Sequence, residues 1–145
     1  MFYKFLIMKR IFNNIGLVLI VPFILLNYSI VFSEQTGDNE VKEISNAIGK
    51  MDGGKLAGYF GTTIDLEINE TNDNYSKTQA EVIIQDFFKN NPCLSFTLNH
   101  QGDSDNGAKY FIGTYKTAKK NFRVYGLLKK ENDKLLIRQL QFDPE

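Results

Sequence analysis

Apolar positions change rhythm along this chain, and each change predicts an element. Residues 15–26 form an apolar run broken only by Gly16 and Pro22, followed by Asn27, Tyr28, Ser29 and a second apolar patch, Ile30 to Phe32. Residues 34–40, EQTGDNE, are polar and aperiodic and read as a linker. Val41, Ile44, Ile48 and Met51 then recur at helical spacing behind the caps Asp38 and Asn39. Asp52-Gly53-Gly54 ends that helix, and Leu56, Tyr59 and Phe60 predict a short second helical piece closed by Gly61. From Thr63 to Ile68 the pattern alternates strictly, as in a half-buried strand with Ile64, Leu66 and Ile68 on one face.

A longer helix is predicted from Ser76. Ser76 and Gln79 have the spacing of a capping box, in which the hydroxyl and the amide each satisfy a free N–H of the first turn. Behind them Ala80, Ile83, Ile84, Phe87 and Phe88 make a wide apolar stripe, and Asn90-Asn91-Pro92 stops the helix. Such a stripe is stable only against other elements. Four strand-like runs supply them: Ser95–His100, Ala108–Lys116, Phe122–Lys130 and Lys134–Phe142. Their short loops predict antiparallel neighbours, so residues 41–142 read as one α+β domain with helices on one sheet face. In the third run Phe122, Val124 and Leu128 oppose Arg123, Tyr125 and Leu127; in the last, Leu136, Leu140 and Phe142 oppose Leu135 and Ile137. Both faces therefore carry apolar side chains, and an uncovered apolar face is an interaction patch.

The start of the chain sets the compartment. Lys4, Lys9 and Arg10 before the apolar run, with Val31-Phe32-Ser33 after it, have the form of a signal peptide over residues 1–33, cleaved after Ser33; Met8 offers an alternative start. The expectation is export to the periplasm or beyond. The competing reading is an uncleaved inner-membrane anchor, since Ile15 to Phe32 is barely long enough to span a bilayer. Because no cysteine follows the run, a bacterial lipoprotein is excluded, and no other membrane segment is expected.

Charge and composition narrow the partners. Beyond residue 33 there are 14 basic and 17 acidic side chains, too weak a balance to point to nucleic acid. The distribution is uneven: residues 34–108 hold 5 basic and 13 acidic groups, residues 109–138 hold 9 and 2. The meander of strands is thus basic, with lysines such as Lys116, Lys119, Lys120, Lys129, Lys130 and Lys134 solvating hairpin tips and guarding edges, or facing an anionic envelope glycan or lipid. Cys93 is the one cysteine, so neither an intrachain disulfide nor a thiolate metal cluster can form.

Candidate chemistry is sparse. Gly49 to Lys55 has the spacing of a phosphate loop, but Leu56 stands where the magnesium ligand belongs and a helix, not a strand, precedes it. Asp103-Ser104-Asp105-Asn106-Gly107 has a misplaced glycine and no closing glutamate for a calcium loop, so a hairpin tip is expected. His100 is the one histidine, which excludes a two-histidine metal site and leaves a single imidazole acid or base. No metal or cofactor is expected.

The series Ala47-Ile48, Asp52-Gly53, Leu56-Ala57, Tyr59-Phe60 and Thr63 to Leu66 resembles the opening of the nuclear-transport-factor-two-like, or cystatin-like, superfamily. Tyr75-Ser76, Gln79-Ala80-Glu81, Asp86-Phe87-Phe88, His100-Gln101-Gly102, Gly107 to Tyr110, Ile112-Gly113-Thr114 and Arg123-Val124-Tyr125 resemble an exported bacterial branch described as a domain of unknown function. The resemblance implies a curved antiparallel sheet wrapped around N-terminal helices as a cone, and homodimerisation through the sheet. By the same resemblance a cone pocket would draw its ligand-binding residues from His100, Tyr110, Tyr115, Arg123 and Tyr125. Two functions follow: a non-catalytic module of the cell envelope that binds a small molecule or an envelope protein, or a small cone enzyme of isomerase, dehydratase or hydrolase type using His100 and a tyrosine as acid and base. Fold alone does not choose between them.

Overall fold

A computed structural model describes residues 35–145, so the signal, anchor and cleavage readings lie outside the described residues. The elements are α1 (Gln35–Gly49), α2 (Gly53–Ala57), β1 (Phe60–Ile68), β2 (Thr71–Ser76), α3 (Lys77–Asn90), β3 (Ser95–Asp103), β4 (Lys109–Lys116), β5 (Asn121–Glu131) and β6 (Lys134–Pro144). They build one six-stranded sheet of order β2-β1-β6-β5-β4-β3. Four of its five pairings are antiparallel, whereas β1 and β6 run parallel. Short loops dictate direction only between chain neighbours, and the β1–β6 contact is made after the whole meander has returned across the sheet.

Several boundaries differ from expectation. The first helix begins at Gln35, inside the expected linker, and Asp38 there is held by Lys109 at 3.3 Å. Phe60 and Gly61 belong to β1, and the short helix lies earlier, capped by Asp52, whose side chain accepts from the Lys55 N–H at 2.8 Å. Strand β2 has no apolar alternation to announce it. A two-residue turn at Asn69 and Glu70, both at positive φ, folds this polar segment back on β1. Asn132 and Asp133 turn β5 into β6 in the same way.

The capping box at Ser76 and Gln79 is complete, and Ala80, Ile84, Phe87 and Phe88 of α3 are buried. Val41, Ile44, Ala47 and Ile48 of α1 join them in one core with Ile64, Leu66, Phe111, Tyr115, Phe122, Val124, Leu128, Ile137, Leu140 and Phe142 of the sheet. Each large side chain so buried contributes about 1.5–3 kcal/mol against exposure. Directly paired residues share a face, so the register assigns both faces. It corrects one expectation: Ile137 lies with Leu140 and Phe142, not opposite them. Leu128 pairs with Ile137 and Leu127 with Gln139, which leaves Arg138 as an extra residue that shifts the alternation by one.

Candidate functional site

The face of the sheet turned away from the helices carries four of the five expected site residues. On β4, Tyr110, Ile112 and Thr114 alternate with the buried Phe111, Gly113 and Tyr115. Their partners on β5 are Leu127, Tyr125 and Arg123. On β3 the pairing steps from Leu98↔Gly113 to His100↔Ile112, so Asn99 is extra and His100 comes to the same outer face. His100 Nε2 and Tyr110 Oη lie 3.0 Å apart. The tyrosine can lie along β3 because its partner there is Gly102, where an added Cβ would stand 2.9 Å from that hydroxyl. Beside them Asn99 Nδ2 donates to Thr114 Oγ1 at 2.8 Å.

Across β6 and β1 this face becomes polar and acidic. Gln139, Gln141 and Asp143 on β6 pair with Leu127, Tyr125 and Arg123, and Asp65 and Glu67 on β1 pair with Gln139 and Gln141. Gln141 Nε2 donates to Glu67 Oε2 at 2.8 Å, and Asn74 Nδ2 to Asp65 Oδ1 at 2.6 Å. Toward the β5–β6 turn, Arg138 and Glu131 form an ion pair of 3.0 Å over Gly61. Tyr110, Ile112, Tyr125 and Leu127 are all half-buried.

Tyr115 is separated from the other four. It is fully buried, and its hydroxyl donates to the Asn91 carbonyl at 2.7 Å. Around it Phe87, Phe88, Phe122 and Phe142 pack with ring centroids 4.6–6.3 Å apart on the helix side of the sheet. Burial raises the pKa of the Tyr115 hydroxyl and, beside it, of the Cys93 thiol, so both are held protonated. An apolar groove of about 360 Å³ lies elsewhere, at the join of β2 and α3, lined by Tyr75, Thr78, Gln79, Val82 and Ile83.

The meander's lysines do not form one patch. Lys116, Lys119 and Lys120 surround the β4–β5 turn and Lys129, Lys130 and Lys134 the β5–β6 turn, at opposite ends of the strands. Lys109 points to the helix side, between Asp103 at 2.7 Å and Asp38 at 3.3 Å, and the Asp103 carboxylate raises its pKa. The Asp103–Gly107 segment is a hairpin tip with one 3-10 turn. Sequence reasoning missed the outer amides and acids of β6, β1 and β2, because only the cross-strand register places them on the face of Tyr125; Glu67 and Gln141 are far apart in the chain.

A family model described as domain of unknown function DUF4783 matches residues 41–143. A solved DUF4783 protein from Bacteroides uniformis is 32% identical over 72% of this chain and 95% of its own, with a TM-score of 0.68. One from Bacteroides ovatus is also 32% identical, over 71% and 93%, with the same TM-score. A nuclear-transport-factor-two-like protein of unknown function from Cytophaga hutchinsonii shares the fold, with a TM-score of 0.56 at 10% identity over 79% of this chain and 95% of that one. No curated protein matches the sequence.

Proposed function

This chain belongs to the DUF4783 family, with a nuclear-transport-factor-two-like fold, and from that premise we propose that it is a non-catalytic binding module of the bacterial cell envelope that works through the helix-free face of its sheet. One observation carries the reading. The interior is packed with aromatic rings, while Tyr110, Ile112, Tyr125 and Leu127 stand half-buried on a face that no helix among the described residues covers. Apolar and tyrosine side chains gathered on one sheet face match the make-up of a protein-docking core, with polar groups as its rim. The partner is an envelope protein or a second copy of the chain, and a small ligand would use the same face. Export rests on the basic and apolar leader over residues 1–33.

The test is capture of envelope proteins by the native chain beside a Tyr125→Asp variant, which places a charge in the centre of the face. The reading expects a partner, or self-association, that the variant loses while its folded stability is kept. Equal capture by both would contradict it.

The 3.0 Å approach of His100 Nε2 to Tyr110 Oη favours a second reading, an acid and base pair. An enzyme of that kind should lose turnover in His100→Ala with binding retained; a binding module should show no turnover to lose.

A further inference from the structure

Leu94 and Met51 are two of the three large apolar side chains left exposed among the described residues, at 65% and 39%. Segments far apart in the chain bring them to one corner. Met51 follows the end of α1, and its sulfur accepts the Cys93 N–H at 3.2 Å, one residue before Leu94. Leu94 in turn donates its N–H to the carbonyl of Lys116, the last residue of β4, at 2.8 Å. Cations gather around this pair. Lys50 adjoins Met51, and Lys119 and Lys120 follow Lys116 in the β4–β5 turn; all four lysines are exposed, and none pairs with a carboxylate among the described residues. The turn that carries them is fixed by the buried Thr117, whose Oγ1 accepts the N–H groups of Lys119 and Lys120 and donates to the Lys120 carbonyl at 2.7 Å. Of the acids nearby, Asp52 is engaged in capping α2, and Glu145 lies beyond Asn121, whose carbonyl takes its N–H.

Two apolar side chains at a corner fall far short of the roughly 800 Å² per partner that a stable protein interface buries. A lipid surface asks for less. A few apolar side chains enter the boundary between headgroups and acyl chains, and lysines beside them lay their stems on that boundary and reach the phosphates with their ammonium groups. We propose that this corner is a peripheral membrane contact, with Leu94 and Met51 seated among the headgroups of an anionic phospholipid surface and Lys50, Lys116 and Lys119 on its phosphates. The contact lies apart from Tyr110 and Tyr125 and does not rest on the reading of their face.

Hydroxyl-radical oxidation of the full chain on phosphatidylglycerol vesicles tests this, with phosphatidylcholine vesicles as the comparison that shares any contribution of the apolar leader. Val82, 62% exposed on α3, is the internal control. Met51 and Leu94 should be protected about fivefold or more on phosphatidylglycerol, Val82 should react as before, and phosphatidylcholine should protect none of them. Sodium chloride at about 0.5 M should weaken the protection. Lys50→Glu with Lys116→Glu should abolish it, whereas Tyr125→Asp should leave it intact, which separates this contact from the sheet face. Unprotected Met51 and Leu94 on phosphatidylglycerol, equal protection on both lipids, or protection that survives the double lysine reversal would overturn the proposal. Protection of Tyr110 and Tyr125 in place of Met51 and Leu94 would overturn the corner as the contact and leave the sheet face standing as an interaction surface.

Discussion

His100 and Tyr110 lie on neighbouring strands with Nε2 and Oη 3.0 Å apart, and the contact depends on a residue with no side chain: the tyrosine reaches along β3 over Gly102. Gly102→Ala is expected to lift Tyr110 away and break the contact. NMR should then show loss of the His100–Tyr110 ring proximity, with a stability change below about 1 kcal/mol because both groups are at the surface.

Tyr115 belongs to the core. Tyr115→Phe removes the bond to the Asn91 carbonyl and keeps the ring, so urea unfolding should show a loss of about 1 kcal/mol. Phe87→Ala, at the centre of the ring cluster, should cost about 3–5 kcal/mol.

The alkaline limb of the stability curve has a defined sign. Burial raises the folded-state pKa of Cys93 and Tyr115, so the unfolded chain gives up these protons first. Their contribution is complete below the ordinary thiol value and is lost as pH rises, first through the unfolded thiol and phenol values and on toward the folded ones. Lys109, with its pKa raised by Asp103, acts in the same direction. Denaturation midpoints should fall between about pH 8 and pH 11, and the slope should flatten in Cys93→Ala with Tyr115→Phe.

The capping box gives a local test. Ser76→Ala removes an acceptor for the Gln79 N–H and should cost about 1 kcal/mol in thermal unfolding, with the sheet unchanged.

What was legible in the sequence divides along physical lines. Local rules sufficed for α3, since a capping hydroxyl and a helical stripe are encoded within a few turns, and for β4, where strict alternation puts Tyr115 and Tyr110 on opposite faces. They failed for β2, whose Thr71-Asn72-Asp73-Asn74 lacks apolar positions and becomes a strand through a tight turn and pairing with β1. They failed again at Asn99 and Arg138, where one extra residue reverses the side on which everything beyond it points. The candidate site inherited both limits. His100 and Tyr110 could be named, but their shared face with Arg123 and Tyr125 depends on register between strands.

Hydroxyl-radical footprinting of the full chain across the concentration range of its association tests the central claim most directly, because it reads Tyr110, Tyr115 and Tyr125 separately. Tyr115 should be protected throughout, and Tyr110 and Tyr125 should react in the dilute protein and become protected together as it associates. Tyr110 and Tyr125 staying reactive in the associated state, or Tyr115 reacting as readily as they do, would contradict it.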